Sequence, residues 1–299
     1  MKTFTALTKR NIKVFFKDKG AFFSSLITPV ILLVLYCAFL ARVYKESFVE
    51  GLNGHAVSES LINGTVAGQL SSSLLAVCCV TVAFCSNMLC VSDRANGTIN
   101  DLLVSPVRRS TVAAAYSFAS FFSTIIITFA ATAACLVYVG AVGFYMSFAD
   151  VILLLLDVLL VTAFGTALSS VINAFLSSQG QVQAVGTIVS AGYGFVCGAY
   201  MPISQSGAFL QNLLAFLPGT YGTSLMRNHC MNGAFAEMAK SGFPTEAVEG
   251  IKDSVDCNLY FFGNRVEEWV MYLVVIGSIL LLTALNVLIC RTRIKRTMV

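Results

Sequence analysis

Ionisable side chains are scarce in this chain, and they gather with usable spacing in one window, Val91–Ser110, VSDRANGTINDLLVSPVRRS. Asp93, Arg94, Arg108 and Arg109 rim it. Within it, Thr98–Val104 sets Ile99, Leu102 and Leu103 at i, i+3 and i+4, one face of a short helix. Ser105-Pro106 then reads as an N-cap followed by proline at the first helical position, opening the next helix. Apolar teeth on a stiff turn, flanked by charges of both signs, are equipment for docking another protein. They are not equipment for bond-making chemistry.

Other chemistries find little material. The two histidines, His55 and His229, fall in polar segments far apart in sequence. No HExxH, CxxC or GxSxG pattern occurs, so neither a metal site nor a catalytic residue is expected. No GxxxxGK[ST] loop occurs either, so any ATP that drives this protein must be bound by another chain. Asp157 is an isolated acid in VILLLLDVLLV. Such a residue suggests an ion relay by default, or structural glue between helices. With no intramembrane base in view, the sequence favours glue. Ser72, Thr81 and Asn87, with Gln183, Ser190 and Tyr193, could line a path through a bundle or simply pack helices. Of ten cysteines most lie in apolar runs as small hydrophobes, whereas Cys230 and Cys257 fall in a polar segment where a disulfide is an open possibility.

The elements that must position these residues are membrane helices. The chain is 57% hydrophobic and 11% charged, against about 25% charged in soluble domains. Six runs approach the roughly 20 apolar residues of a crossing: Phe22–Ala41, Val66–Val91, Val112–Val139, Val151–Ile172, Val182–Met201 and Trp269–Cys290. The alternation of a β-barrel is absent. The expected fold is therefore all-α and membrane-embedded, residues 1–299 forming a single transmembrane domain.

Before the first span, residues 1–20 predict an amphipathic helix at the interface. Phe4, Leu7, Ile12, Phe15 and Phe16 fall on one face, and Lys9, Arg10, Lys13 and Lys17 on the other. Residues 92–111 form the docking loop. Residues 202–268 contain a run too short to cross, a re-entrant candidate, followed by an external cap from Arg227 onward. Thirteen of the 19 Lys and Arg lie in residues 1–20, 92–111 and 291–299. Positive charge of this distribution places both termini in the cytoplasm of a multi-pass plasma-membrane protein. The basic balance addresses lipid, and no nucleic acid need be invoked.

This order of elements resembles the type-2 permeases of ATP-binding-cassette exporters. The specific match lies in the docking loop, where an acidic-Arg, Gly-Thr, Leu-Leu, Ser/Thr-Pro pattern is met by Asp93-Arg94, Gly97-Thr98, Leu102-Leu103 and Ser105-Pro106, with Arg108-Arg109 following. Leu217-Pro218-Gly219-Thr220-Tyr221 resembles the family's proline-containing element before the last external segment. The resemblance implies pairing with a second permease copy or homologue, and an ATP-binding-cassette ATPase subunit that holds ATP and magnesium and docks on the Asp93–Pro106 loop. It further implies outward movement of a hydrophobic drug-like, peptide or lipid substrate between the second and fifth spans. The alternative is an ATP-independent ion-coupled carrier or channel.

Overall fold

The computed structural model of the chain describes residues 2–51, 58–99 and 107–296. Leu102, Leu103 and Pro106 of the expected docking face lie outside the described residues. The described chain is almost wholly helical: α1 (Lys2–Lys17), α2 (Lys19–Leu35), a π-helical turn (Tyr36–Leu40), α3 (Ala41–Gly51), α4 (Glu59–Ala95), α5 (Arg109–Val142), α6 (Phe148–Phe175), α7 (Gln179–Val196), α8 (Ala208–Leu214), α9 (Pro218–Lys240), α10 (Thr245–Ser254) and α11 (Glu268–Arg296), with a two-stranded hairpin, β1 (Tyr260–Phe261) and β2 (Asn264–Arg265), before the last helix.

The helix starts follow local capping chemistry. Asp18 ends α1 and caps α2 by accepting the Ala21 amide at 3.1 Å. Ser147 with Asp150, and Ser178 with Gln181, form reciprocal capping boxes that open α6 and α7. Pro218 occupies the first turn of α9, where its missing N–H is no loss. The start of α5 differs from expectation: its N-cap is Arg108, downstream of Ser105-Pro106. The first span is one long element with a π turn seven residues after Pro29, not a helix ending near Ala41.

Five helices among the described residues are long and apolar enough to cross a membrane: Lys19–Glu46, Glu59–Ala95, Ser110–Val142, Phe148–Phe175 and Glu268–Ile289. The sixth expected span, Val182–Met201, is the 18-residue α7. It ends at Val196, and Gly198, at φ +72°, turns the chain before Met201. Glutamines and glycines dilute its apolar content below that of the other five.

Helix α4 is the mast of the bundle. At 37 residues it spans about 55 Å, well beyond a hydrocarbon core. Fully 78% of its most apolar stretch is buried, against 6% for α11 at the periphery. It packs on α2, α5, α6, α7 and α9. Small residues permit this crowding: a Cβ on Gly68 would lie 2.8 Å from the Cys230 carbonyl of α9, and one on Gly165 of α6 would lie 3.0 Å from the Cα of Val80. Close backbone approach of this kind drives helix association where lipid removes the hydrophobic incentive.

The polar segment that begins at Arg227 does not start as surface. Residues from Arg227 on read as polar surface, yet α9 continues to Lys240 with Met226, Arg227, Met231 and Met238 wholly buried. Its polar side chains are paired inside the bundle, so their polarity did not mark solvent. A short cap of α10 and the hairpin follows it before the last helix.

Candidate functional site

The docking window hangs from the end of α4. Gly97, at φ +80°, takes the left-handed position that terminates the helix, its amide reaching the Arg94 carbonyl at 3.2 Å. Thr98 and Ile99 resume helical backbone and are half-buried. The charges expected to orient a partner divide into two groups. Arg108 is exposed. Asp93, in contrast, is buried, and its carboxylate accepts from Arg10 of α1 at 2.5 Å and from the Tyr116 hydroxyl of α5 at 2.6 Å. Arg94 donates to the Leu176 carbonyl at 2.8 Å and more distantly to that of Asn173, neutralising the C-terminal end of α6. Gln179, at the start of α7, donates to the Ser92 hydroxyl at 3.0 Å.

Two expectations are corrected here. Arg10 does not stand on the solvated basic face with Lys9, Lys13 and Lys17, which are exposed; it turns inward because Asp93 sits opposite. Asp93 and Arg94 act inside the chain, as fasteners, and their charges are already spent on Arg10, Tyr116 and the α6 carbonyls. The apolar stripe of α1 rests on α5, with the rings of Phe4 and Phe118 edge to face at 5.4 Å and Phe15 buried.

Beside this end a cavity of about 740 Å³ opens between α2, the lower part of α4 and α7. Its walls are largely aliphatic and hydroxylic, with Ser24, Ile27, Thr28, Ile31 and Leu35 of α2 and Gln183, Thr187 and Ser190 of α7, and no charged residue among its lining. A second space of about 350 Å³ shares Ser24, Cys85, Met88 and Gln183 and continues the groove to the α1–α2 elbow at Asp18. Of the six path candidates only Gln183 and Ser190 reach this space. Ser72 and Thr81 bond back to carbonyls of their own helix, and Asn87 donates to Ser169 and Ser170 of α6 at 3.0 and 2.8 Å. Tyr193 is buried against Gly219 of α9, its hydroxyl without a partner among the described residues.

The bundle also holds two buried ionic clusters that sequence reasoning missed. His229 of α9 places Nδ1 2.6 Å from Asp157 and Nε2 3.1 Å from Glu268 of α11, while the Tyr272 hydroxyl donates to the other Asp157 oxygen at 2.9 Å. Asp157 is therefore not the lone acid expected. Burial opposes the charged imidazole, but the hydrogen bond and charge of Asp157 and then Glu268 outweigh it, pushing His229 above its ordinary 6.5. One signal was available: Asp150 and Asp157, seven apart, share a face of α6, as His229 and Asn232 do on α9, and Asn232 bonds Asp150 at 2.9 Å.

The second cluster is Arg227 with Asp256. The guanidinium donates to Asp256 at 3.1 Å, to the Val255 carbonyl at 3.0 Å, to Ser73 of α4 at 3.1 Å and to the Gly198 carbonyl. Asp256 in turn accepts the amides of Ile203 and Ser204. The Cys230–Cys257 disulfide does not form: both are buried free thiols in the main apolar core, filling space between α9 and its neighbours.

Five helices long and apolar enough to cross a membrane, packed around α4 and enclosing an uncharged cavity, define a multi-pass membrane protein. Residues 2–230 match the family described as ABC-2 type transporter, and the chain belongs to that family. No curated protein matches it.

Proposed function

We propose that the chain is the transmembrane permease subunit of an ATP-driven exporter, six-spanning, with both termini on the cytoplasmic side of the plasma membrane. In this reading α7 and the turns to Met201 make the fifth crossing, α1 lies at the cytoplasmic interface, and residues 92–111 receive a separate ATP-binding-cassette ATPase. ATP and magnesium belong to that partner. A second permease, identical or homologous, completes the pathway.

The observation that carries the proposal is the cross-tying of the docking end. Arg10, Asp93 and Tyr116 bind α1, α4 and α5 together, and Arg94 and Gln179 bind the same turn to the α6–α7 connection. A push on Ile99 and its neighbours therefore reaches α4 and α7, two walls of the cavity, through short polar links rather than through loose loop. A displacement at the ATPase becomes a change of cavity shape. The uncharged, partly hydroxylic lining supports a hydrophobic drug-like, peptide or lipid substrate, which enters from the inner leaflet side and leaves outward.

The ion-coupled carrier remains the rival. His229 supplies Asp157 with the basic partner such a carrier needs, but neither residue lines the cavity, so ion and cargo would not share a site. Affinity purification of the tagged chain from its native membrane tests the proposal. A co-purifying ATPase and substrate-stimulated ATP hydrolysis are expected. Transport that persists with every ATPase removed overturns it.

A further inference from the structure

We infer that His229 is a proton-operated latch: as an imidazolium it ties α9 to both α6 and α11, and on losing its proton it lets go of α11 while keeping α6. The argument is geometric. Both ring nitrogens face carboxylates, Nδ1 toward Asp157 and Nε2 toward Glu268. A neutral imidazole carries one N–H, so one of its nitrogens would present a lone pair to a carboxylate oxygen about 3 Å away. Both contacts are attractive only when both nitrogens are protonated.

The two carboxylates respond differently when the proton leaves. Asp157 is fully buried and holds the Tyr272 hydroxyl as well, so it has nowhere to go and keeps the remaining N–H. Glu268 is the first residue of α11, its side chain about half exposed at 53%, and it can swing into water at little cost. The released contact is therefore the one between α9 and α11. Among the described residues no other group competes for the ring. From α6 come Asp157 and, further off, Asp150, already bonded to Asn232 and the Ser147 amide. From α11 come Glu268 and Tyr272. From α4 comes the Cys79 thiol, which feels the charge of Asp157. On α9 itself Cys230 faces the core, and Arg227 points away to Asp256.

The consequence is directional. The contact is intact at pH below the free-histidine value and is lost as pH rises through the elevated value of the folded protein. The latch concerns how α9 is fastened, whatever drives transport, so its fate is independent of the ATP-coupled reading.

The chain has only two histidines, which makes the test direct. The full-length H55Q protein, labelled with 13C at the imidazole and reconstituted in lipid nanodiscs, reports His229 alone by NMR. Its titration midpoint is expected above 6.5 and falls by about half a pH unit in H55Q/E268Q, a surface change that leaves the core intact. Hydrogen exchange of the amides at 266–272, corrected for intrinsic rates, should rise as pH passes the midpoint in H55Q and stay flat in H55Q/E268Q. A midpoint below 6.5, a midpoint unmoved by E268Q, or the same exchange profile in both proteins overturns the latch.

Discussion

Replacing Arg227 by methionine removes the one guanidinium that joins α9 to α4, to the turn after α7 and to the chain after α10. The side chains of Arg227 and Asp256 are 1% and 4% exposed, so water cannot take over for either. Breaking such a pair from one side leaves a buried carboxylate uncompensated, at a cost of about 3–5 kcal/mol. Asp256 retains the Ile203 and Ser204 amides, which holds the expected loss for Arg227→Met near the lower figure. Asp256→Asn is the suitable partner substitution, because position 256 has φ +55° and asparagine tolerates the left-handed region. In the double variant no charge is stranded, so it should be less destabilised than the sum of the single changes by at least about 1 kcal/mol. Unfolding in mixed detergent–SDS micelles, followed by tryptophan fluorescence of Trp269, measures all three. A cost below about 1 kcal/mol for Arg227→Met, or strict additivity, would refute the claim that this pair is a buried hub.

Further expectations concern the docking end, the cavity and the cap. Ile99→Asp should abolish recovery of the ATPase in a pull-down while leaving membrane insertion unchanged, since a carboxylate cannot enter an apolar groove without loss of several kcal/mol. Ser190→Trp should remove most transport without lowering expression, because Ser190 lines the cavity directly; retained transport of the same cargo would place the path elsewhere. In the cap, the hydrogen bond from Lys252 outweighs partial burial and, with Asn258 and Arg265, holds Glu249 below its usual 4.5. The stability this lends is present above that value and lost as pH falls through the lower folded one. Glu249→Gln should flatten the acid limb of the cap's thermal stability, by under about 1 kcal/mol given its exposure.

Periodicity and capping chemistry were the legible parts. The apolar runs located all five long helices because each exceeds a bilayer width, and Ser178 with Gln181, like Ser147 with Asp150, announces a helix start in its own side chains. What composition hid were the tertiary partners of polar residues. Arg10 looked like one lysine-like charge among four, and only the fold brings Asp93, 83 residues away, to meet it. Arg227 and His229 looked like surface for the same reason. A polar residue three turns into a helix carries no local mark that says whether water or a distant carboxylate satisfies it. Val182–Met201 differs in another way: its apolar run is helical only as far as Val196, and Gly198 turns the chain before Met201.

The tight seating of α4 has a consequence for how such a transporter acquires new cargo. Where glycines let backbones touch, at Gly68 and Gly165, almost any enlargement collides with a neighbouring main chain. The opposite banks of the cavity, α2 and α7, lie outside that crush and carry Ser24, Thr28, Thr187 and Ser190 at its rim. Selection for a different molecule can thus reshape α2 and α7 more freely than the closely packed α4, so variation among members of this family should gather on those two helices.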